Sequence, residues 1–419
     1  MKQIAPLTDR IEVRYGTQTI SLDLPVSCTI LEPNEPDTPL SVEDFKQKLE
    51  RSLTSHPLDL TQPIIVVTDK TRTCSYPTFL PILCETLNRY RGYSEPFDIV
   101  IAYGTHPPHS DEENIKLYGK SFQDHHFIHH NCDDEESFIQ LGSTSSGTPV
   151  NARKDLHAAS SIITMGPICH HYFAGYGGGR KLLFPGCGER SAIYQNHGLF
   201  LDRDNGLLAP GCQPGSFTAN PIADDLFEIE NYLTADLSIH GIQNSQGQIC
   251  DVLIGNDRHT FLEGCRLHAH YYEVDQNQFD TVIISCGGYP KDLNFIQSHK
   301  AIHNGAGFVK DGGHLIVFSQ CHDFIGSETF LPWFSMGGYE SAFKKLSENY
   351  EGNGGTALSM MSKTRRIQIS MVTSLSSEIC ETINVNKISA DQVASIIGET
   401  SGTIGWIANA SLLVNRSPN

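Results

Sequence analysis

Three histidines lie beside predicted strand ends or a glycine-rich loop, where side chains commonly meet ligands. His106 follows an apolar segment and a Gly-Thr turn, His171 precedes the loop, and His197 lies shortly after it. Imidazole has an ordinary pKa of ~6.5, so it accepts and returns protons near neutrality. It is also a common ligand of nickel and zinc. A single histidine of this kind is more often structural, but together the three are candidates for acid–base catalysis or metal binding.

The glycine-rich loop runs from Gly175 to Lys181 and reads GYGGGRK. Glycines let the backbone approach an anion closely, and a nearby arginine or lysine adds positive charge. The loop matches neither the P-loop pattern, which needs Ser or Thr directly after the lysine, nor GxGxxG. It is therefore compatible with a plain tight turn as well as with an anion site. A lysine in the place of Lys181 can also form a covalent bond to a cofactor with an electrophilic carbon.

The elements that position these residues are predicted to be apolar strands alternating with helices. The strands are predicted at 63–68, 97–102 and 160–165. Such strands indicate a parallel sheet that is covered on both faces, and ligands bind such sheets at the carboxyl ends of the strands. This rule predicts a ligand site at residues 69–72 and 104–106, and the third strand leads into the glycine-rich loop.

A second unit is predicted from further apolar strands at 279–285 and 312–318. The sequence therefore predicts an α/β fold of two domains, with mainly parallel sheets flanked by helices and the active site between the domains. The predicted boundaries are an N-terminal cofactor-binding domain at 1–270, a C-terminal α/β domain at 275–405, and a tail at 406–419. The tail could pack back on the N-terminal domain, which the sequence does not decide.

Two polar side chains of the second unit, Gln297 and Lys300, follow the segment YPKDLN. Positions three apart lie on one side of a helix. This pair could therefore bind a carboxylate.

The cluster HHFIHH at residues 125–130 resembles a metal site at first glance. On a strand, successive side chains point to opposite faces, so the four histidines cannot converge on one ion. The pattern favours a polar strand at the edge of a sheet.

Charge and composition narrow the classes of partner. The 419 residues include 30 Lys and Arg against 48 Asp and Glu, for a net charge of −18. A chain this acidic, without a run of basic residues, does not suit nucleic acid or an anionic membrane surface. No segment approaches the ~20 apolar residues of a membrane span, and the 12 cysteines include no CxxC pair. The sequence therefore predicts a cytoplasmic protein with reduced thiols and with neither nucleic acid nor membrane as a partner.

Several separated motifs stand in a fixed order along most of the chain. They are DKTR at 69–72, GTH at 104–106, LGSTSSGTPV at 141–150, HYFAGYGGGRK at 171–181, PG at 185–186, NH at 196–197, GGYPKD at 287–292 and the pair Gln297 and Lys300. In type and order they resemble the motifs of the nickel-dependent lactate racemase family.

The resemblance implies a cofactor and a role for each candidate residue. Members of this family use a nickel-pincer nucleotide, Ni(II)-pyridinium-3,5-bisthiocarboxylic acid mononucleotide. By the correspondence of motifs, Lys181 would attach the cofactor through a thioamide and His197 would bind nickel, while His106 and His171 would act as acid–base catalysts. The cofactor contacts would be Asp69, Lys70, Thr71 and Arg72. The substrate contacts would be Arg72, Gln297 and Lys300.

The implied activity is racemisation or epimerisation at C2 of a small 2-hydroxy acid. The α-proton of such an acid is very weakly acidic, so simple deprotonation is difficult. Transient hydride transfer to the cofactor avoids this problem: one histidine takes the hydroxyl proton, a planar 2-oxo acid forms, and hydrogen returns to the other face. Two histidines serve the two enantiomers. The resemblance also implies that proteins which make the cofactor and insert nickel are partners.

Three positions depart from the family pattern. Gly177 stands where a Ser is usual, Thr73 where a Pro is common, and Ile296 where lactate racemases carry Tyr. These changes predict a reshaped pocket, and the third predicts a substrate with a longer or more polar tail than lactate. Two other functions stay open: a hydrolase with zinc on the three histidines, and a carrier that binds the nickel cofactor without turnover.

Overall fold

The computed structural model describes residues 7–25 and 27–416, which divide into two compact units. The larger unit comprises Glu35–Phe200 and Ala209–Tyr271. The smaller unit comprises the described residues up to Asn34, the segment Leu201–Leu208, and the described residues from Tyr272 onward. Each unit combines a largely parallel sheet with helices, so the predicted two-domain α/β class is confirmed.

The sheet of the larger unit has six strands in the described chain. Across the sheet they are Ile249–Gly255, Leu237–Gln243, Ser161–Pro167, Pro63–Thr68, Asp98–Ala102 and His126–His129. The first two are antiparallel and all other neighbours are parallel. The three apolar strands predicted from the sequence lie side by side, so their carboxyl ends meet at one edge.

The strand Pro63–Thr68 shows why this sheet is buried on both faces. Its side chains point alternately to the two faces. Ile65 and Val67 belong to one apolar core, whereas Ile64 and Val66 belong to the other. A continuous apolar run is therefore needed to fill both cores.

The helices of the larger unit cover the sheet and carry part of the site. The first begins at the N-cap Ser41, whose hydroxyl accepts a hydrogen bond of 3.0 Å from the Asp44 N–H, and it buries Phe45, Leu49 and Leu53. The helices are Val42–Ser55, Tyr76–Arg91, Asp111–Tyr118, Ser121–Asp124, Lys154–Ala158, Arg190–Gly198, Pro221–Ile229 and Arg258–Tyr272. Two hairpins, Phe138–Ser143 with Pro149–Arg153 and Cys169–His171 with Gly175–Gly177, complete the unit.

The smaller unit has a second six-stranded sheet, whose neighbouring strands are all parallel within the described residues. Across the sheet the strands are Asn386–Lys387, Gln368–Val372, Val309–Phe318, Phe279–Ser285, Ile404–Ile407 and Cys28–Leu31. An antiparallel hairpin, Leu7–Tyr15 with Gln18–Pro25, packs with this unit's core. The helices are Phe295–Ala306, Tyr339–Glu348, Gly354–Arg366, Ser377–Thr382 and Ala390–Glu399. None of the helices within residues 7–25 and 27–416 is both long and apolar enough to cross a bilayer.

The predicted domain boundaries differ from this division at both ends of the chain. The described residues before 35 were assigned to the N-terminal domain, yet Cys28–Leu31 forms the edge strand of the smaller unit's sheet. The sequence left open whether the tail from 406 packs back on the N-terminal domain, and in the structure Trp406 lies 3% exposed in a strand of that same sheet. Pairing between strands so far apart in sequence leaves no local pattern that could predict it.

The strand His126–His129 lies at the edge of the larger unit's sheet, where the histidine cluster was predicted to form a polar strand. Its two end residues are exposed. Within the described residues, no three His, Cys, Asp or Glu side chains are arranged to hold a metal ion. The cluster is therefore an edge strand.

Candidate active site

A cavity of about 170 Å³ opens at the edge where the central strands of the larger unit end. One water molecule occupies ~30 Å³ in the liquid, so the cavity has room for an organic group. Most of the predicted site residues of this unit line it, and all of its walls come from this unit. Those predicted residues are Asp69, Thr71, Arg72, His106, His171, Lys181 and His197.

Asp69 and His106 form a hydrogen-bonded pair in the cavity wall. Asp69 follows the strand Pro63–Thr68 and is 4% exposed, and its Oδ2 lies 2.7 Å from His106 Nδ1. Burial acts to raise the pKa of the Asp69 carboxyl, but the hydrogen bonds from His106 and Thr71 and the charge of Arg72 hold it at about 2. The ionised carboxylate can only accept, so Nδ1 of His106 carries a proton. In the neutral ring, Nε2 therefore carries the lone pair.

His171 has the opposite hydrogen-bond arrangement. Its Nδ1 accepts from the backbone N–H groups of Phe173 at 3.3 Å and Ala174 at 3.1 Å. In the neutral ring the proton is therefore on Nε2. The tight hairpin that allows this depends on Gly175, which has a φ of +74° and would place a Cβ 2.3 Å from the Ser216 carbonyl oxygen.

Lys181 lies in the single 3-10 turn Gly179–Leu182 that closes the glycine-rich loop. Burial, together with the positive charges of Arg180 and Arg72, lowers the pKa of its amine to about 7. Arg180 itself is buried among aromatic rings, and its Cζ lies 4.0 Å from the ring centre of Phe227. A substantial fraction of Lys181 is therefore neutral near pH 7, in the form that acts as a nucleophile.

His197 is held in the helix Arg190–Gly198, called the His197 helix below. Its Nδ1–H donates to the Ile193 carbonyl oxygen at 2.7 Å, which leaves the lone pair on Nε2. Burial and the charge of Lys181 lower its pKa to about 4. His197 is therefore neutral at physiological pH, as a metal ligand must be.

The remaining predicted residues lie outside this cavity. Lys70 is exposed and pairs with Glu113, with 2.5 Å between Nζ and Oε1. Gln297 and Lys300 lie in the smaller unit on the helix Phe295–Ala306. As their spacing predicts, they meet on one side of that helix, where Lys300 Nζ donates to Gln297 Oε1 at 2.8 Å.

Several cavity residues were missed by the sequence reasoning. Thr68 is the last residue of its strand and Tyr103 directly follows the next strand, so the carboxyl-end rule could have found both. Ile193 also lines the cavity, one helical turn before His197. Its signal was the four-residue spacing, which places two side chains on the same face of a helix.

Two parts of the chain match known domain families. Residues 15–207 match the lactate racemase N-terminal domain, and residues 274–387 match the lactate racemase C-terminal domain. The chain belongs to the lactate racemase family. The predicted family is therefore confirmed.

Two curated relatives in this lactate racemase family carry its name. The chain is 28% identical to the lactate racemase of Thermoanaerobacterium thermosaccharolyticum over 335 residues, which are 77% of this chain and 77% of the relative. It is 27% identical to that of Lactiplantibacillus plantarum over 271 residues, 64% of this chain and 62% of the relative. With the two domain matches, these relatives make the chain an isomerase of the racemase type.

Solved structures share the lactate racemase fold of this chain. The lactate racemase apoprotein from Thermoanaerobacterium thermosaccharolyticum has a TM-score of 0.84 at 24% identity and covers 98% of this chain and 100% of its own. A protein from Thermotoga maritima has a TM-score of 0.67 at 16% identity and covers 92% of this chain and 99% of its own.

One departure from the lactate racemase family pattern has a local cause in this structure. A Cβ at Gly177 would lie 3.0 Å from Cys169 Sγ and 3.6 Å from Arg72 Nε. The serine that is usual in the family would therefore crowd Cys169.

Proposed function

We propose that this lactate racemase family member inverts C2 of a small 2-hydroxy acid, with a nickel-pincer nucleotide held in the cavity of the larger unit. The observation that carries the proposal is the set of side chains around this one cavity. It combines His106 paired with Asp69, His171 with the opposite ring proton, Lys181 with its lowered pKa, and the neutral, half-buried His197. Both named relatives are lactate racemases, which favours a 2-hydroxy acid as the substrate class.

The donors in the cavity fit such a cofactor better than a metal held by protein alone. No three metal-binding side chains converge in the described part of the chain, so the zinc site of the hydrolase alternative, on His106, His171 and His197, is not formed. A metal that brings its own sulfur and carbon donors needs only one further ligand. His197 supplies a neutral imidazole, which suits nickel, and Lys181 supplies a neutral amine for covalent attachment.

His106 and His171 would move the protons of the reaction. When bound, the cofactor supplies a reversible hydride acceptor, so that C2 becomes planar and can be reduced from either side. His106 Nε2 takes the hydroxyl proton because Asp69 already holds its Nδ1 proton, and the ionised Asp69 stabilises the resulting imidazolium. His171 would donate a hydrogen bond from its Nε2–H to the substrate oxygen, and protonated His106 would return the proton once C2 is reduced. For the other enantiomer the roles would exchange, which requires the ring proton of His171 to move to Nδ1 so that Nε2 can take the hydroxyl proton.

Charged and amide side chains would bind the substrate carboxylate. Arg72 lines the cavity, and a guanidinium pairs well with a carboxylate. By resemblance to the family, Gln297 and Lys300 are the other substrate contacts, and Asp69, Lys70 and Thr71 line the cofactor beside Arg72. The carrier alternative is less well supported, since a carrier has no use for the Asp69–His106 pair.

We also propose that the protein works in the cytoplasm and receives its cofactor from proteins that make it and insert nickel. All 12 cysteines are free thiols. Free thiols without disulfides are typical of a reducing compartment.

The substrate is proposed to carry a longer or more polar tail than lactate. Ile296 lies beside Gln297 and replaces the tyrosine of lactate racemases, which removes a hydroxyl and a ring. The test is to produce the protein together with the cofactor-making proteins and compare kcat/KM for racemisation of lactate with that of C4 to C6 and aromatic 2-hydroxy acids. We expect a longer acid to be preferred, with differences of ~1–3 kcal/mol per methylene. Loss of optical purity with none of these acids would contradict the proposed function, and a clear preference for lactate would contradict the tail.

A further inference from the structure

A buried carboxylate connects the His197 helix to a neighbouring hairpin. Asp225 lies in the helix Pro221–Ile229 and is 1% exposed. Its Oδ2 accepts from Asn196 Nδ2 at 2.9 Å, and its Oδ1 accepts from the Thr144 hydroxyl at 2.5 Å. Asn196 directly precedes His197 and is itself fully buried. One side chain therefore holds both the helix that carries His197 and the hairpin Phe138–Arg153.

The same helix holds the tip of the hairpin through a second carboxylate. Glu228 accepts from the Ser145 N–H at 2.9 Å and from the Ser145 hydroxyl at 2.7 Å. This second contact is exposed, whereas the Asp225 contacts are buried. Thr144 and Ser145 belong to the motif LGSTSSGTPV, to which the proposed function assigns no role. The structure shows that this motif is the hairpin turn that docks on the helix.

The hairpin also contacts the other end of the His197 helix. Glu189 is the N-cap of that helix and accepts from the Ser191 N–H at 3.0 Å. Asn151, on the second strand of the hairpin, donates from Nδ2 to Glu189 Oε2 at 3.1 Å. The His197 helix is thus fixed near both ends. Successive residues of an α-helix are about 100° apart around the axis, so fixing Asn196 also fixes the direction of its neighbour His197.

We propose that Asp225 is a positioning residue that holds His197 in the direction needed to bind nickel in the cavity. This inference rests on the proposed function, in which His197 is the nickel ligand. Asp225 acts through Asn196 and does not itself contact the cavity. Partners that orient a metal ligand in this way commonly contribute 10–100-fold to metal affinity or activity.

The test measures nickel release from cofactor-loaded protein into a chelator, with the melting temperature measured in parallel. Asp225→Ala removes both carboxylate oxygens, so Asn196 Nδ2 loses its acceptor, and we expect nickel to leave about 10–100-fold faster. Asn196→Ala removes the same link while leaving Asp225 bonded to Thr144, and should behave alike. Glu228→Gln is the matched control, because it weakens only the exposed bond at the hairpin tip, and we expect release within about twofold of the parent.

The exchanged pair Asp225→Asn with Asn196→Asp restores a donor opposite an acceptor, and we expect it to recover slow nickel release. Release from Asp225→Ala and Asn196→Ala at the parent rate would overturn the inference, as would acceleration that Glu228→Gln shares and that follows the melting temperature. Failure of the exchanged pair to recover would also count against it. His197→Ala distinguishes failure of this inference from failure of the proposed function. If that variant retains nickel like the parent, the proposed function itself names the wrong nickel ligand.

Discussion

Hydrogen-bond partners place the ring protons of His106 and His171 on opposite nitrogens. Asp69 holds a proton on Nδ1 of His106, while two backbone N–H groups keep Nδ1 of His171 unprotonated. One ring thus offers a lone pair at Nε2 and the other offers an N–H. A reaction that removes a proton from a hydroxyl group and later returns one needs both kinds of partner.

The first prediction separates proton transfer from metal binding. His106→Ala and His171→Ala should each lower kcat by about 10²–10⁴-fold, the usual cost of removing a placed acid or base. Both should keep their nickel, whereas His197→Ala should retain it less well. The measurements are racemisation rate and nickel content of cofactor-loaded protein. Near-parental rates in both of the first two variants would show that the two-histidine mechanism is wrong.

The second prediction concerns Lys181, whose pKa is lowered to about 7 from 10.5. Between these two values the unfolded chain holds a proton that the folded protein has lost, so this group makes stability rise with pH. Below pH 7 the folded protein carries the full cost of a poorly solvated charge. Lys181→Met removes that cost, so the variant without cofactor should melt higher than the parent at pH ~6, by a margin that shrinks toward pH ~10.

The same variant tests covalent attachment. After production with the cofactor-making proteins, intact-mass measurement should show an adduct on the parent and none on Lys181→Met. If the difference in melting temperature between Lys181→Met and the parent grows with pH, the buried charge of Lys181 is not its cause. An unchanged adduct would exclude this lysine as the tether.

Among the secondary-structure elements, the strands decide where the cavity lies. Asp69 follows the strand Pro63–Thr68, and His106 follows Asp98–Ala102 after a short turn. This arrangement could be predicted from sequence, because it needs only apolar strands in parallel order. The ring-proton arrangement of His171 could not, because it depends on two backbone N–H groups placed by the hairpin.

The loop after the strand Val309–Phe318 carries backbone strain. Phe324 has a φ of +47° and is 65% exposed. A non-glycine residue in this left-handed region costs roughly 1–2 kcal/mol. Nothing in the local sequence marks this residue, since phenylalanine is not a turn-forming type.

The third prediction follows from that strain. Phe324→Gly should raise the free energy of unfolding by up to ~1 kcal/mol, because glycine adopts this backbone conformation freely. Phe324→Ala is the matched control: it removes the same ring but keeps a Cβ, so it should give no such gain. Urea unfolding of the three proteins measures the difference. Equal stability of the glycine and alanine variants would contradict the prediction.

At the level of the whole molecule, family and fold class could be predicted because the motifs keep their order along most of the chain. The division into units could only partly be predicted. The edge strand Cys28–Leu31 pairs with Ile404–Ile407. A local sequence pattern cannot predict a partner strand so distant in sequence. The Asp225 contacts were missed for the same reason, since Thr144, Asn196 and Asp225 meet only in the folded chain.

In the proposed function, this protein inverts C2 of a 2-hydroxy acid by moving the C2 hydrogen as a hydride. The most direct measurement uses cofactor-loaded protein with one enantiomer of a 2-hydroxy acid that carries deuterium at C2, in ordinary water. Optical purity and deuterium content are followed together. We predict that optical purity falls while the deuterium stays on C2, because a hydride held by the cofactor does not exchange with water. Loss of deuterium at the rate of racemisation would show that C2 is deprotonated instead, and would contradict hydride transfer.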